Sequence, residues 1–233
     1  AGKRVSEADL ELPDGALLGE ADVEARVREL VPGADGILQR LRSTAWKERL
    51  DAVDALADAL CAAEAPALAR DGATVDGVVA LLARSPGWKE PMVAVSARIA
   101  AAIGALARAA GASLERATIG KAAPPLAERL ADAKQRAAAA DALMAIAESS
   151  GVALIGALVC RGARGHKNPK VALEAAAWLR AAAYGFGPRG GGAGLARAHG
   201  VCELLAEALS HRDAKVREAV SYTHLRAHET DSY

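Results

Sequence analysis

Five short clusters along this chain each place a lysine or arginine at the start of a helical stretch, and their spacing restricts the fold more than any other feature. They are Trp46-Lys47-Glu48-Arg49, Trp88-Lys89-Glu90, Asp132-Ala133-Lys134-Gln135-Arg136, His166-Lys167-Asn168-Pro169-Lys170 and Asp213-Ala214-Lys215-Val216-Arg217. Trp46 to Trp88 spans 42 residues, Trp88 to Lys134 spans 46, Lys134 to Pro169 spans 35, and Pro169 to Lys215 spans 46. An interval of about 40–47 residues is the length of a helix pair that buries its apolar face only by stacking on its neighbours. Equivalent turns of such a stack lie along one edge, so residues distant in sequence form one stripe.

Apolar residues make up 52% of the chain and aromatics only 3%, so the core must come from alanine, leucine and valine. Alanine loses no side-chain entropy in a helix and lets helices approach closely. An all-α chain follows. The 29 basic and 29 acidic residues cancel, which removes any global field toward nucleic acid or membrane and leaves electrostatic function to local arrangement. Charges interrupt the apolar runs, so no membrane-spanning helix is expected. Cys61, Cys160 and Cys202 show no CxxC or metal-ligand pattern and read as free, buried thiols of a reducing compartment. The start, Ala1-Gly2-Lys3-Arg4, has neither an initiator methionine nor a signal core, so the chain reads as an internal piece of something longer.

Residues 1–21 are polar and read as a linker. Helical stretches are expected at 22–31 and 35–42, on either side of Pro32-Gly33. Ser43-Thr44 then offers a cap to a long helix whose apolar positions Trp46, Leu50, Val53, Leu56 and Leu60 form one stripe. Helices follow at about 66–83 and 91–110, with Ser113 capping one that reaches Ala131 and kinks at Pro124-Pro125. Further helices are expected at 134–149 and 151–164, then after the Asn168-Pro169 cap and first turn, and at 195–209 with Asp213 capping one more. Residues 220–233 (VSYTHLRAHETDSY) lose this periodicity and resemble translated adapter sequence, a non-native or disordered tail. His224 and His228 stand four apart within it, but no third metal ligand is evident. Gly190-Gly191-Gly192 lacks the ending of a phosphate loop and reads as a connector. No nucleophile–base pair or paired carboxylates emerge, so no enzyme, cofactor or metal site is expected.

The clusters with their flanks resemble the TOG domains of microtubule-associated proteins, the CLASP branch included. The matching segments are Ser43 to Leu60 (STAWKERLDAVDALADAL), Leu130 to Glu148 (LADAKQRAAAADALMAIAE), His166 to Gly187 (HKNPKVALEAAAWLRAAAYGFG) and Leu209 to Ala219 (LSHRDAKVREA). The resemblance covers roughly residues 33–219 and implies an α-solenoid of HEAT repeats, antiparallel helix pairs with the last repeat truncated, over 22–219. It implies binding of αβ-tubulin or microtubules through the turns within each repeat, in a longer multi-TOG chain of the cytoplasmic cytoskeleton, at microtubule, spindle or centrosome. Partners in nucleic acid or membrane are not implied.

By the same resemblance Trp46 is an apolar anchor on tubulin with Lys47 beside it. Trp88 and Lys89 fall in the second turn, Lys134 in the third, Lys167 and Lys170 in the fourth, Lys215 and Arg217 in the fifth. The residues themselves add two points. Lysine at a helix N-terminus opposes the helix dipole, so its recurrence there asks for a negative partner. Arg161, Arg164, Lys167 and Lys170 lie in a stretch without an acidic residue, a local positive patch. Against this, Trp46 can be a core residue capping the stack, Trp178 reads as core, and the basic residues can be ordinary solvated charge. A general HEAT scaffold that binds another protein on its concave face is the alternative. A bilin-lyase-type HEAT enzyme fits less, since its repeats are shorter and its turns differ.

Overall fold

The computed structural model describes residues 5–11, 19–61, 71–187 and 194–218. Among these residues every regular element is helical. The helices are α1 (Glu20–Leu30), α2 (Ala34–Leu41), α3 (Trp46–Cys61), α4 (Gly72–Leu82), α5 (Val93–Ala110), α6 (Arg116–Arg129), α7 (Arg136–Ser150), α8 (Val152–Ala163), α9 (Pro169–Phe186) and α10 (Val201–Leu209). A further helical turn runs over 214–218.

The helices fall into two layers. α1, α4, α6, α8 and α10 pack side by side in one, while α3, α5 and α7 do so in the other. α9 joins the second layer through Trp178, whose indole Nε1 donates to the Ala140 carbonyl at 3.3 Å. Val216 continues it by packing with Ala176 and Ala208. α2 packs against α3, and from α3 onward consecutive helices alternate between layers, so the chain is the α-solenoid that its repeat spacing predicts.

Several boundaries differ from the sequence reading for local reasons. The tail at 220–233, its histidine pair and the triple glycine lie outside the described residues. Residues 5–11 do not behave as a linker. Leu10 is 2% exposed within the core, its carbonyl accepts from Arg161 Nη1 at 3.0 Å, and Arg116 donates to the Asp9 carbonyl. α6 begins at Arg116, because Ser113 closes a 3-10 turn with Gly111 in place of capping. The stretch expected as one helix over 195–209 breaks at Gly200, whose φ of 83° leaves the helical basin. Cys160 is buried, and burial pushes its thiol up to about 12. Cys61 and Cys202, expected to be buried, are exposed at the last turn of α3 and first turn of α10.

Val93–Ser113 carries only Arg98 and Arg108 among its charges and is long and apolar enough to cross a membrane, against expectation. It is α5, packed between α3 and α7 with Ile99, Ile103 and Leu106 in the core. The helices meet closely at Gly104, where an added Cβ would stand 3.0 Å from the Ala142 Cα. Backbone cannot yield as a side-chain tip can. Gly104→Val is therefore expected to lower the Tm by about 5 °C, an overpacking penalty that exceeds the gain in helix propensity. Calorimetry checks this, and an unchanged Tm would mean that α5 and α7 stand further apart.

Candidate functional site

α5, α7 and α9 each start from a turn that leaves a helix of the first layer, and α3 from the turn that leaves α2; side-chain bonds join these helix starts along one edge. Arg49 meets Glu90 through two bonds of 2.8 and 2.7 Å. Ser96 Oγ donates to Gln135 Oε1 at 2.6 Å, and Arg136 pairs with Glu174 at 2.7 Å.

The turns are built alike. Ser43 Oγ, His166 Nδ1 and His211 Nδ1 each accept the N–H two residues on, from Ala45, Asn168 and Asp213, at 3.0 Å in every case. Asp132, Asn168 and Asp213 accept from the N–H of Lys134, Lys170 and Lys215 at 2.9, 3.0 and 3.0 Å. These are local caps on the orphan donors of a helix start. The Lys134 amide, followed by the Gln135 side chain, holds the Asp132 carboxyl below its usual pKa. Arg49, Arg136 and Arg217 each reach back six residues to a carbonyl, of Ser43, Leu130 and His211, at 2.9, 3.0 and 2.6 Å.

Lys47, Lys134, Lys170 and Lys215 therefore occupy one equivalent position in four separate turns: Lys47, Lys170 and Lys215 are each second in their helical segment, and Lys134 stands in the turn just before α7, two residues before Arg136 as Lys47 is before Arg49. All four are exposed, as are Lys89 and Lys167. Among the described residues none of these six forms an ion pair. The arginines of the same edge behave differently. Arg42 binds Glu20 and Glu24, Arg84 binds Glu20, and Arg49 and Arg136 are paired as above. Arginine's planar fork suits stapling, while lysine's point charge on a flexible stem stays hydrated. Here arginine fastens the turns and lysine faces solvent. Arg217, a predicted site residue, belongs with the staples, since it donates to both the His211 and Arg212 carbonyls.

Trp46 opens α3 and is 36% exposed. It carries the stripe of Leu50, Val53, Leu56 and Leu60 past the core and into solvent. Lys47 Nζ lies 5.8 Å from its ring centroid. Trp88 is not its counterpart. α5 begins only at Val93, so Trp88 precedes the helix, packs half-buried against the core and has Arg129 4.8 Å from its ring centroid. The expected patch of Arg161 to Lys170 is divided as well. Arg161 turns to the Leu10 carbonyl and Arg164 approaches Glu207 at 3.6 Å, which leaves Lys167 and Lys170 on the edge. The bonds joining turn to turn pair residues 38 to 41 apart, beyond the reach of any local signal.

An open groove of about 870 Å³ lies beside the first turn, lined by Arg28, Asp35, Arg40, Ser43, Glu48 and Asp51 among others. Its mixed charges largely offset one another. Among the described residues no group of three or more His, Cys, Asp or Glu side chains is placed to hold a metal.

No family model matches the chain. It is 31% identical over 172 residues to Protein MOR1 of Arabidopsis thaliana, covering 74% of this chain and 8% of that protein. It is 30% identical over 150 residues to Protein MOR1 of Oryza sativa subsp. japonica, covering 64% of this chain and 7% of that protein. The chain thus spans less than a tenth of the length of these curated relatives. Among solved structures, Drosophila melanogaster Mini spindles TOG3 superposes with a TM-score of 0.71 at 26% identity, covering 81% of this chain and 78% of that one. The CEP104 TOG domain follows with a TM-score of 0.63 at 17% identity, over 99% and 89%. A microtubule polymerase with a TOG domain array, described for tubulin recruitment and assembly, gives 0.61 at 16% identity, over 86% and 42%.

Proposed function

Because this chain belongs to the TOG domains, we propose that it binds αβ-tubulin through its intra-repeat turns, as a binding module of the cytoplasmic microtubule cytoskeleton rather than an enzyme. One observation carries the reading. Four turns present a lysine at the same position, exposed and, among the described residues, outside any ion pair, in line with a partly exposed tryptophan. A row of unpaired cations on a chain of no net charge has a field that acts only at short range, suited to an acidic protein face. Trp46 supplies the apolar anchor, and Lys47, Lys89, Lys134, Lys167, Lys170 and Lys215 supply the charge. Arg217 shapes the fifth turn. Trp88 is excluded from the contact set, because Arg129 and the core take up its ring. Since the matched relatives are far longer, the domain is read as one of several units that together influence microtubule growth and spindle organisation.

The test is size-exclusion chromatography with tubulin, followed by titration. A complex is expected, weakening as salt screens the lysines. Trp46→Ala is expected to reduce affinity by about tenfold or more, as for a buried aromatic anchor. Equal affinity in that variant would remove Trp46 from the interface. Absence of any complex from the folded chain would favour a general protein scaffold.

A further inference from the structure

The second turn departs from the pattern. It has no lysine at the row position, where Ala94 stands, and its tryptophan is packed away. What it offers instead is Glu90. This carboxylate is 2% exposed and makes three bonds. Two go to the Arg49 guanidinium, at 2.8 Å from Nε and 2.7 Å from Nη2. The third accepts the Met92 N–H at 2.9 Å, at the entry to α5. Arg49 in turn donates through Nη1 to the Ser43 and Thr44 carbonyls, both at 2.9 Å, the residues that lead into Trp46. Burial pushes the Glu90 carboxyl up, but Arg49 and the Met92 amide outweigh it and hold its pKa below the usual value. The carboxylate is ionised and fully used.

The segment bearing Glu90 is itself anchored from the other side. Arg129 stacks on Trp88, donates to the Trp88 carbonyl, to Ser96 Oγ at 3.3 Å and to the Pro125 carbonyl at 2.9 Å. Among the described residues it forms no ion pair. A cation whose three nitrogens each bond a backbone or hydroxyl oxygen acts as a bracket. A continuous path therefore runs from Arg129 through Trp88 and Glu90 to Arg49 and the first turn.

We propose that Glu90 is a positioning residue for the binding edge: it holds the Trp46 turn in place through Arg49 without touching the partner. The proposal rests on the tubulin reading above. A preorganised anchor avoids the ordering loss that a mobile one incurs on binding.

Hydrogen exchange on the free chain and tubulin titration test it together. Glu90→Ala is expected to speed amide exchange over 43–49 by about tenfold relative to 53–60, a local opening that leaves the core closed. It should also weaken tubulin binding by roughly fivefold, and by less than about twofold when Trp46→Ala is already present, because the two residues act through one turn. Glu90→Gln keeps the Met92 acceptor but loses the charge, and is expected to fall between; it serves if the alanine variant does not fold. Unchanged exchange at 43–49 would overturn the proposal. So would an equal loss of affinity in both backgrounds, the mark of a direct contact or of general loosening. If the unsubstituted chain fails to bind tubulin, the functional reading falls, and the exchange result alone decides the clamp.

Discussion

Replacing Lys134, Lys170 and Lys215 together by glutamate is expected to weaken tubulin binding by on the order of a hundredfold or more, with the Tm unchanged or slightly raised. The two halves of this expectation have one cause. Lys170 and Lys215 sit within the first turn of a helical segment and Lys134 just ahead of α7, all exposed and, among the described residues, outside any ion pair, where the helix dipole disfavours a cation and favours a carboxylate by about 0.3–1 kcal/mol. Charge reversal therefore relieves a local penalty in the free protein while turning attraction into repulsion at the partner. A variant that binds as well as the parent would end the claim that this row is the contact. A variant that loses stability with its affinity would show the lysines to be structural. Measuring affinity and Tm on the same samples separates these outcomes.

The second large effect lies in the other layer. Asp76, on α4, has a side chain only 6% exposed and accepts from both Lys121 Nζ, at 2.7 and 2.6 Å, and Thr118 Oγ1, at 2.9 Å, on α6. Asp76→Ala strands a mostly buried ammonium and a buried hydroxyl. The expected loss is about 3–5 kcal/mol, a Tm lower by on the order of 10 °C. Removing all three polar groups by Asp76→Leu, Thr118→Val and Lys121→Met is expected to restore most of it, because no charge or donor remains unpaired. None of the turn-edge residues is among Asp76's partners, so tubulin affinity per folded molecule should hold in both variants. A triple variant as unstable as Asp76→Ala would mean that packing at this site, not pairing, dominates.

What could be read from the sequence depended on how local the cause was. The starts of α3 and α9 were legible, since Ser43 and Asn168 bond their own neighbours and Pro169 fits a first turn. The row Lys134, Lys170 and Lys215 followed from the same short-range caps. The different setting of Trp88 has no local signal, because Trp-Lys-Glu occurs at both 46–48 and 88–90 while the helix after the second copy waits until Val93. The Arg49–Glu90 pair, the Arg129 bracket and the burial of Leu10 are tertiary events. No periodicity or motif announces them.

That last contact changes how a stack like this comes apart. In a simple array each unit touches only the next, so either end can fray on its own. Here Arg161 of α8 holds the carbonyl of Leu10, a residue 151 positions away. Peeling off the front of the array must break a bond to its fourth unit, and loosening that unit must release the front. The front and the fourth unit are thermodynamically linked, and melting of the stretch between them becomes more nearly all-or-none than the repeat architecture alone would allow.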